Sequence, residues 1–88
     1  MVYSISYDLN KPGQDYSTLY SAIKKLGSWC HPLDSTWFVV TELVAADVRD
    51  YLAKVMDKSD GLIVARATAP GAWRGLSDEI SRWLEDNL

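Results

Sequence analysis

One carboxylate stands where it could do chemistry, at the end of the first predicted strand, Val2–Asp8. The alternation of this strand puts three large side chains on one face, namely Tyr3, Ile5 and Tyr7. The other face carries Val2, Ser4, Ser6 and Asp8. Two roles are open for Asp8. It accepts hydrogen bonds from the N–H groups of residues 10–13, the commoner role for an aspartate before a loop, or it binds a ligand.

The ligand that would suit Asp8 is Mg²⁺. This ion takes about six oxygens, and a working site needs more than one carboxylate or a substrate phosphate among them. One Asp8 per chain falls short, but two Asp8 side chains meeting across a dimer axis would complete the set. An ion held there would polarise a phosphodiester, with Ser35 and Thr36 positioning the phosphate and Lys11 balancing charge.

Trp73 and Arg74 are a second candidate site, between the last strand and the last helix. An aromatic ring beside a cation could stack a base and hold a phosphate, or it could contact a protein partner. The same pair could instead attach the terminal helix to the sheet, which is the interpretation that we favour.

Cys30 and His31 are each the only residue of their kind in the chain. A lone cysteine excludes an intrachain disulfide, and one Cys-His pair is a poor zinc site. We therefore interpret Cys30 as a small buried residue and His31 as an edge-strand residue rather than a general base.

The composition indicates one domain, residues 1–88, that self-associates. Four tryptophans, five tyrosines and a hydrophobic fraction of 48% are more than a chain this short easily buries, which favours a homodimer. A net charge of −3 is the wrong sign for coating nucleic acid, so any such contact would need a local patch or a metal ion. With no signal peptide and no membrane-spanning apolar run, we expect a cytoplasmic protein without a membrane partner.

The predicted elements follow the order strand, helix, strand, strand, helix, strand, helix. The predicted strands are Val2–Asp8, 28–33, 35–42 and 62–68. The first predicted helix runs about a dozen residues from an Asp15 cap to Gly27. The second helix spans 45–56, and the third starts at Ser77. The first six elements form the ferredoxin-like βαββαβ arrangement, an α+β fold with an antiparallel sheet and here an additional C-terminal helix. Right-handed crossovers make the first and third strands central.

The third strand carries large side chains on both faces. Trp37 and Val39 point one way and Phe38 and Val40 the other, so both sides of this strand must be buried. Two helices cover one face. A dimer through the second face or the last helix folded across it would cover the other, and we favour a dimer to which the last segment contributes.

Three blocks of the sequence carry a family resemblance. Residues 2–17 read VYSISYDLNKPGQDYS, residues 33–39 read LDSTWFV and residues 76–84 read LSDEISRWL. With these blocks the chain resembles the SinR-like small proteins of bacteria and phages, mostly without assigned activity. More distantly it resembles the small nuclease-fold subunit of the CRISPR adaptation complex and the VapD-type toxin ribonucleases. These likenesses imply a ferredoxin-like fold, dimerisation through the sheet and, in the metal-dependent members, a metal-binding aspartate that matches Asp8.

Two functions follow from these observations. The favoured one is a homodimeric binding or assembly module whose tail and edge strands contact a partner. The alternative is a Mg²⁺-dependent endoribonuclease or toxin-type nuclease acting through Asp8 at the dimer interface. The first is favoured because the chain is acidic and Leu9–Tyr16 holds only Lys11 as a base, where the adaptation subunit has an arginine-rich stretch.

Overall fold

The computed structural model describes all 88 residues, which form four strands and three helices. The strands are β1 (Val2–Asp8), β2 (Trp29–Leu33), β3 (Thr36–Val40) and β4 (Gly61–Arg66). The helices are α1 (Ser17–Lys24), α2 (Ala45–Ala53) and α3 (Asp78–Asn87). None of these helices combines the length and the apolar character needed to cross a bilayer.

The sheet is antiparallel throughout, with the strand order β2-β3-β1-β4. The predicted ferredoxin-like arrangement with an additional C-terminal helix is confirmed, and β1 and β3 are the central strands as expected. The proline-bearing β2 lies at an edge, where a missing N–H costs no ladder hydrogen bond.

The first face of the sheet forms the hydrophobic core with α1 and α2. The alternate residues Tyr3, Ile5 and Tyr7 of β1 are buried there, as predicted. They pack in one cluster with Trp37 and Val39 of β3 and with the apolar stripes of the two helices, Leu19, Ile23, Val48 and Leu52. Helical spacing in the sequence therefore reported the buried side of both helices.

The buried aromatic side chains find partners for their polar atoms. The Trp37 Nε1–H donates to the Tyr7 hydroxyl at 3.0 Å, and that hydroxyl donates to the Asp34 carbonyl at 3.0 Å. The Tyr3 hydroxyl donates to the Leu43 carbonyl at 2.7 Å. No buried side-chain nitrogen or oxygen lacks a partner, so these aromatics are buried without an unsatisfied polar group.

The second face is partly covered by α3 and by the segment that leads to it. Ser77 caps α3, its side chain accepting a hydrogen bond from the Ile80 N–H at 3.2 Å. Leu84 and Cys30 are buried between α3 and β2, and the Trp83 Nε1–H donates to the Ser28 hydroxyl at 2.9 Å. The last helix therefore covers the β2 side of this face.

Helix and strand ends differ from the predicted ones by a few residues. α1 is only eight residues long and is preceded by Tyr16, although the Asp15 carboxylate still accepts a hydrogen bond from the Ser17 N–H at 2.9 Å. The predicted last turns of α1 and α2 tighten into i→i+3 bonds, such as Leu26 N–H to the Ile23 carbonyl. Apolar spacing continues through such turns, so it overestimates the length of both helices.

Gly27 connects α1 to β2 at a point where the backbone of β3 passes very close. A Cβ atom added to Gly27 would overlap the Val40 carbonyl oxygen, so no side chain fits at this position without a backbone shift. The adjacent Ser28 carbonyl accepts a hydrogen bond from the Val40 N–H at 2.8 Å, which holds the two segments together.

We expect Gly27→Ala to lower the free energy of unfolding by about 1–3 kcal/mol, the usual cost of an overpacked site. Urea denaturation measures this change. Gly61→Ala is the matched control, because a Cβ atom there would meet only the Asp8 Cβ, at 3.7 Å, and stability should be unchanged or slightly raised. Equal losses in both variants would contradict the close approach at Gly27.

Candidate functional site at the end of the central strand

Asp8 lies at the end of β1, opposite Gly61 of β4. The alternation of β1 puts its side chain on the second face of the sheet, the face that carries Ser4 and Ser6. The side chain is exposed and lines a cleft of about 270 Å³ together with Ser6, Gly61 and Ile63. Because Gly61 has no side chain, one flank of the Asp8 carboxylate is open.

The carboxylate of Asp8 takes part in no hydrogen bond and no ion pair. The loop after β1 is instead held by Asp60, whose Oδ1 accepts from the Asn10 N–H at 2.7 Å and from the Tyr16 hydroxyl at 2.8 Å. Its Oδ2 accepts from the Asp57 N–H at 2.8 Å. The expectation that Asp8 accepts the N–H groups of residues 10–13 is therefore wrong, because a carboxylate from the turn before β4 already occupies that position.

The Asp60 carboxyl is tuned by these contacts. Partial burial by itself would raise its pKa, but the hydrogen bonds from Asn10, Tyr16 and Asp57 outweigh burial and hold the pKa below its usual range. No sequence pattern marks this role, since Asn10 and Tyr16 are distant in the chain and only the fold brings them to Asp60. The signal that existed was local: an aspartate directly before a glycine at the start of a strand.

We expect Asp60→Asn to lower the thermal midpoint at neutral pH and Asp8→Asn, its matched control, to leave it unchanged. A carboxyl with a lowered folded-state pKa stabilises the fold above the unfolded pKa of about 3.9 and loses that effect as the pH falls through its folded-state pKa. Acid should therefore lower the midpoint of the wild type more than that of Asp60→Asn. Thermal melts between about pH 7 and pH 3 measure both effects. A larger decrease of the thermal midpoint for Asp8→Asn than for Asp60→Asn would show that Asp8 holds the loop.

The structure brings two further predicted residues to the same end of the sheet as Asp8. Thr36 lies opposite Ser6 on the second face, and the two hydroxyl oxygens are 3.2 Å apart. The Ser35 carbonyl accepts a hydrogen bond from the Tyr7 N–H at 3.1 Å, which places the exposed Ser35 beside the end of β1. Lys11 is directed elsewhere, since its ammonium forms an ion pair with Asp57 at 3.6 Å.

A single chain offers Mg²⁺ few ligands at this position. No group of three or more His, Cys, Asp or Glu side chains is arranged to hold a metal ion. Asp8 could supply one carboxylate oxygen, and the remaining ligands would have to come from water, from a substrate phosphate or from a second copy of the chain. The donor chemistry of Asp8 fits Mg²⁺, but the ligand set of one chain is incomplete.

Trp73 and Arg74 lie in the segment between β4 and α3, away from the end of β1. The Trp73 Nε1–H donates to the Ser81 hydroxyl of α3 at 3.1 Å, so this residue attaches the segment to the last helix. Arg74 is exposed and forms no salt bridge. Both residues line a groove of about 600 Å³ beneath this segment.

Cys30 and His31 are used by the fold. Burial raises the pKa of the Cys30 thiol to about 11, so that the thiol stays protonated and unreactive at neutral pH. The His31 ring stacks on Trp37 with centroids 3.8 Å apart, and its Nε2–H donates to the Asp34 carbonyl at 3.1 Å. Asp34 O therefore accepts from both His31 and Tyr7, which fixes the turn between β2 and β3.

Comparison of the chain with protein-family models, with curated proteins and with solved structures gives no match. The functional case therefore rests on the residues of this chain.

Proposed function

We propose that the protein is a homodimeric binding or assembly module that pairs through the open part of its second sheet face. The observation that carries this proposal is one row of side chains across all four strands, Leu33, Thr36, Ser6 and Ile63. This row lies beside the region that α3 covers. We call it the open row.

The open row has apolar ends and a polar centre. Leu33 is 59% exposed and Ile63 is 65% exposed, the two largest exposures among the large hydrophobic residues of the chain. Between them the hydroxyls of Ser6 and Thr36 face each other. Three strand spacings separate the two ends, a span of about 14 Å.

A row with this symmetry is complementary to itself. In a dimer with a twofold axis, the same surface is used on both chains. One orientation of the axis brings Leu33 against Ile63 of the second copy, and another brings each residue against its own counterpart. In both orientations the apolar ends contact apolar ends and the hydroxyl groups contact hydroxyl groups.

We expect Ile63→Asp to dissociate the dimer. Each buried isoleucine contributes about 1.5 kcal/mol or more, and each dimer holds two copies, so the dissociation constant should rise at least roughly 100-fold. Sedimentation equilibrium over a range of protein concentrations measures this shift.

The matched control is Val44→Asp, which replaces another exposed β-branched residue, 54% exposed, that follows β3 and precedes α2. It should leave the association unchanged. A wild-type protein that remains monomeric at high concentration, or a dimer weakened equally by both substitutions, would contradict the proposal.

A second candidate function is a Mg²⁺-dependent nuclease acting through Asp8, with Ser35 and Thr36 contacting phosphate. The observation that favours it is the free Asp8 carboxylate, which accepts no hydrogen bond from an N–H group of the loop. Asp8 follows Ser6 on the same face of β1, so a dimer through the open row would bring both Asp8 carboxylates to one interface. Mg²⁺ bound there would polarise a phosphodiester.

For this candidate we expect Mg²⁺-dependent cleavage of RNA, abolished by EDTA and by Asp8→Asn without loss of thermal stability. Asp34→Asn is the matched control, since it removes a carboxylate from the adjacent exposed turn and should retain activity. Cleavage assays on RNA and DNA with purified protein measure this. Full activity of Asp8→Asn would contradict the nuclease function and leave the dimeric module in place.

A further inference from the structure

A groove of about 600 Å³ lies between the second sheet face and the segment that connects β4 to α3. Its floor includes Phe38 of β3, and its walls include Trp73, Leu76 and Leu84. This volume and this apolar lining are typical of sites that bind small organic molecules. One chain forms the whole groove, although Leu33 and Thr36 of the open row also belong to its lining.

The charge of the groove differs from that of the protein. The chain carries 12 acidic and 9 basic side chains, yet no acidic residue lines the groove, whereas Arg66 and Arg74 both do. Arg66 lies opposite Tyr3 in the sheet, so its side chain starts on the first face, whereas the groove lies on the second. Arg74 therefore supplies the guanidinium, and it has no carboxylate partner.

The connecting segment, residues 68–76, makes no backbone hydrogen bond to the rest of the protein. Six of these nine residues line the groove, namely Thr68, Gly71, Ala72, Trp73, Arg74 and Leu76. An apolar cleft is thus lined in part by a segment that carries one arginine without a carboxylate partner.

We propose that this groove binds a small organic anion, an apolar body that carries one carboxylate, sulfonate or phosphate group. The body lies against Phe38, Leu84 and the Trp73 ring, where apolar surface leaves water. The anionic group pairs with the Arg74 guanidinium, whose fork of N–H donors matches a planar or tetrahedral oxyanion.

The test uses two probes with the same aromatic body. The first is 1-anilinonaphthalene-8-sulfonate, which is anionic, and the second is N-phenyl-1-naphthylamine, which lacks the sulfonate and is neutral. Fluorescence titration of the folded protein should show saturable binding of the anion, with one site per chain and an affinity about tenfold or more above that of the neutral probe.

Arg74→Gln should reduce the affinity for the anionic probe to that for the neutral one, without affecting the neutral probe. Arg82→Gln is the matched control, because it removes an exposed arginine of α3 that does not line the groove. Ala72→Trp, which fills the groove, should lower the affinity for both probes. Since Arg74 and Ala72 are exposed, circular dichroism should show that all three variants are folded.

Unsaturable binding of the anion would overturn the proposal. Equal affinities of the two probes for the wild type would also overturn it, as would an equal loss of affinity for the anionic probe in Arg74→Gln and Arg82→Gln. Because Leu33 and Thr36 belong to both the groove and the open row, the titrations are repeated with Ile63→Asp, a residue outside the groove, and sedimentation tests the dimer separately.

Discussion

The structure depends on the need to cover both faces of a sheet whose central strands are β1 and β3. One face of these strands is fully buried under α1 and α2, and its tyrosine and tryptophan polar atoms are paired. The opposite face still carries Phe38 and Val40, which water would solvate poorly. The additional helix α3 covers part of that second face and packs mainly against β2. What remains open, the row from Leu33 to Ile63, is the surface on which the proposed association rests.

Two carboxylates, Asp8 and Asp60, have different roles at the end of β1. Asp60 holds the loop after β1 through three hydrogen bonds, so the fold does not need Asp8 there. An exposed, unpaired Asp8 beside a glycine has room for a ligand, but one chain forms no group of three or more metal-binding side chains there. The open row is complete in each chain, whereas a Mg²⁺ site through Asp8 requires the dimer or a substrate to complete it, and this difference favours the assembly function.

Much of the fold could be predicted because its signals are local. The alternation of Val2–Asp8, the apolar spacing of the helices and the Ser77 cap each report a nearby structural preference, and all three are confirmed. Long-range contacts were not predictable in the same way. The Asp60 hydrogen bonds to Asn10 and Tyr16 and the approach of Gly27 to Val40 depend on how distant segments meet. The groove beneath Trp73 depends on the path of a segment that has no periodic pattern.

In the proposed dimer, a second copy of the chain covers the open row. Isotope-filtered NMR on a mixture of ¹³C-labelled and unlabelled protein detects contacts between chains directly. We expect intermolecular NOEs from the methyl groups of Leu33 and Ile63, and none from Val44, which lies outside the open row. Intermolecular NOEs confined to Val44 or to other residues outside the row, or their absence at millimolar concentration, would contradict it.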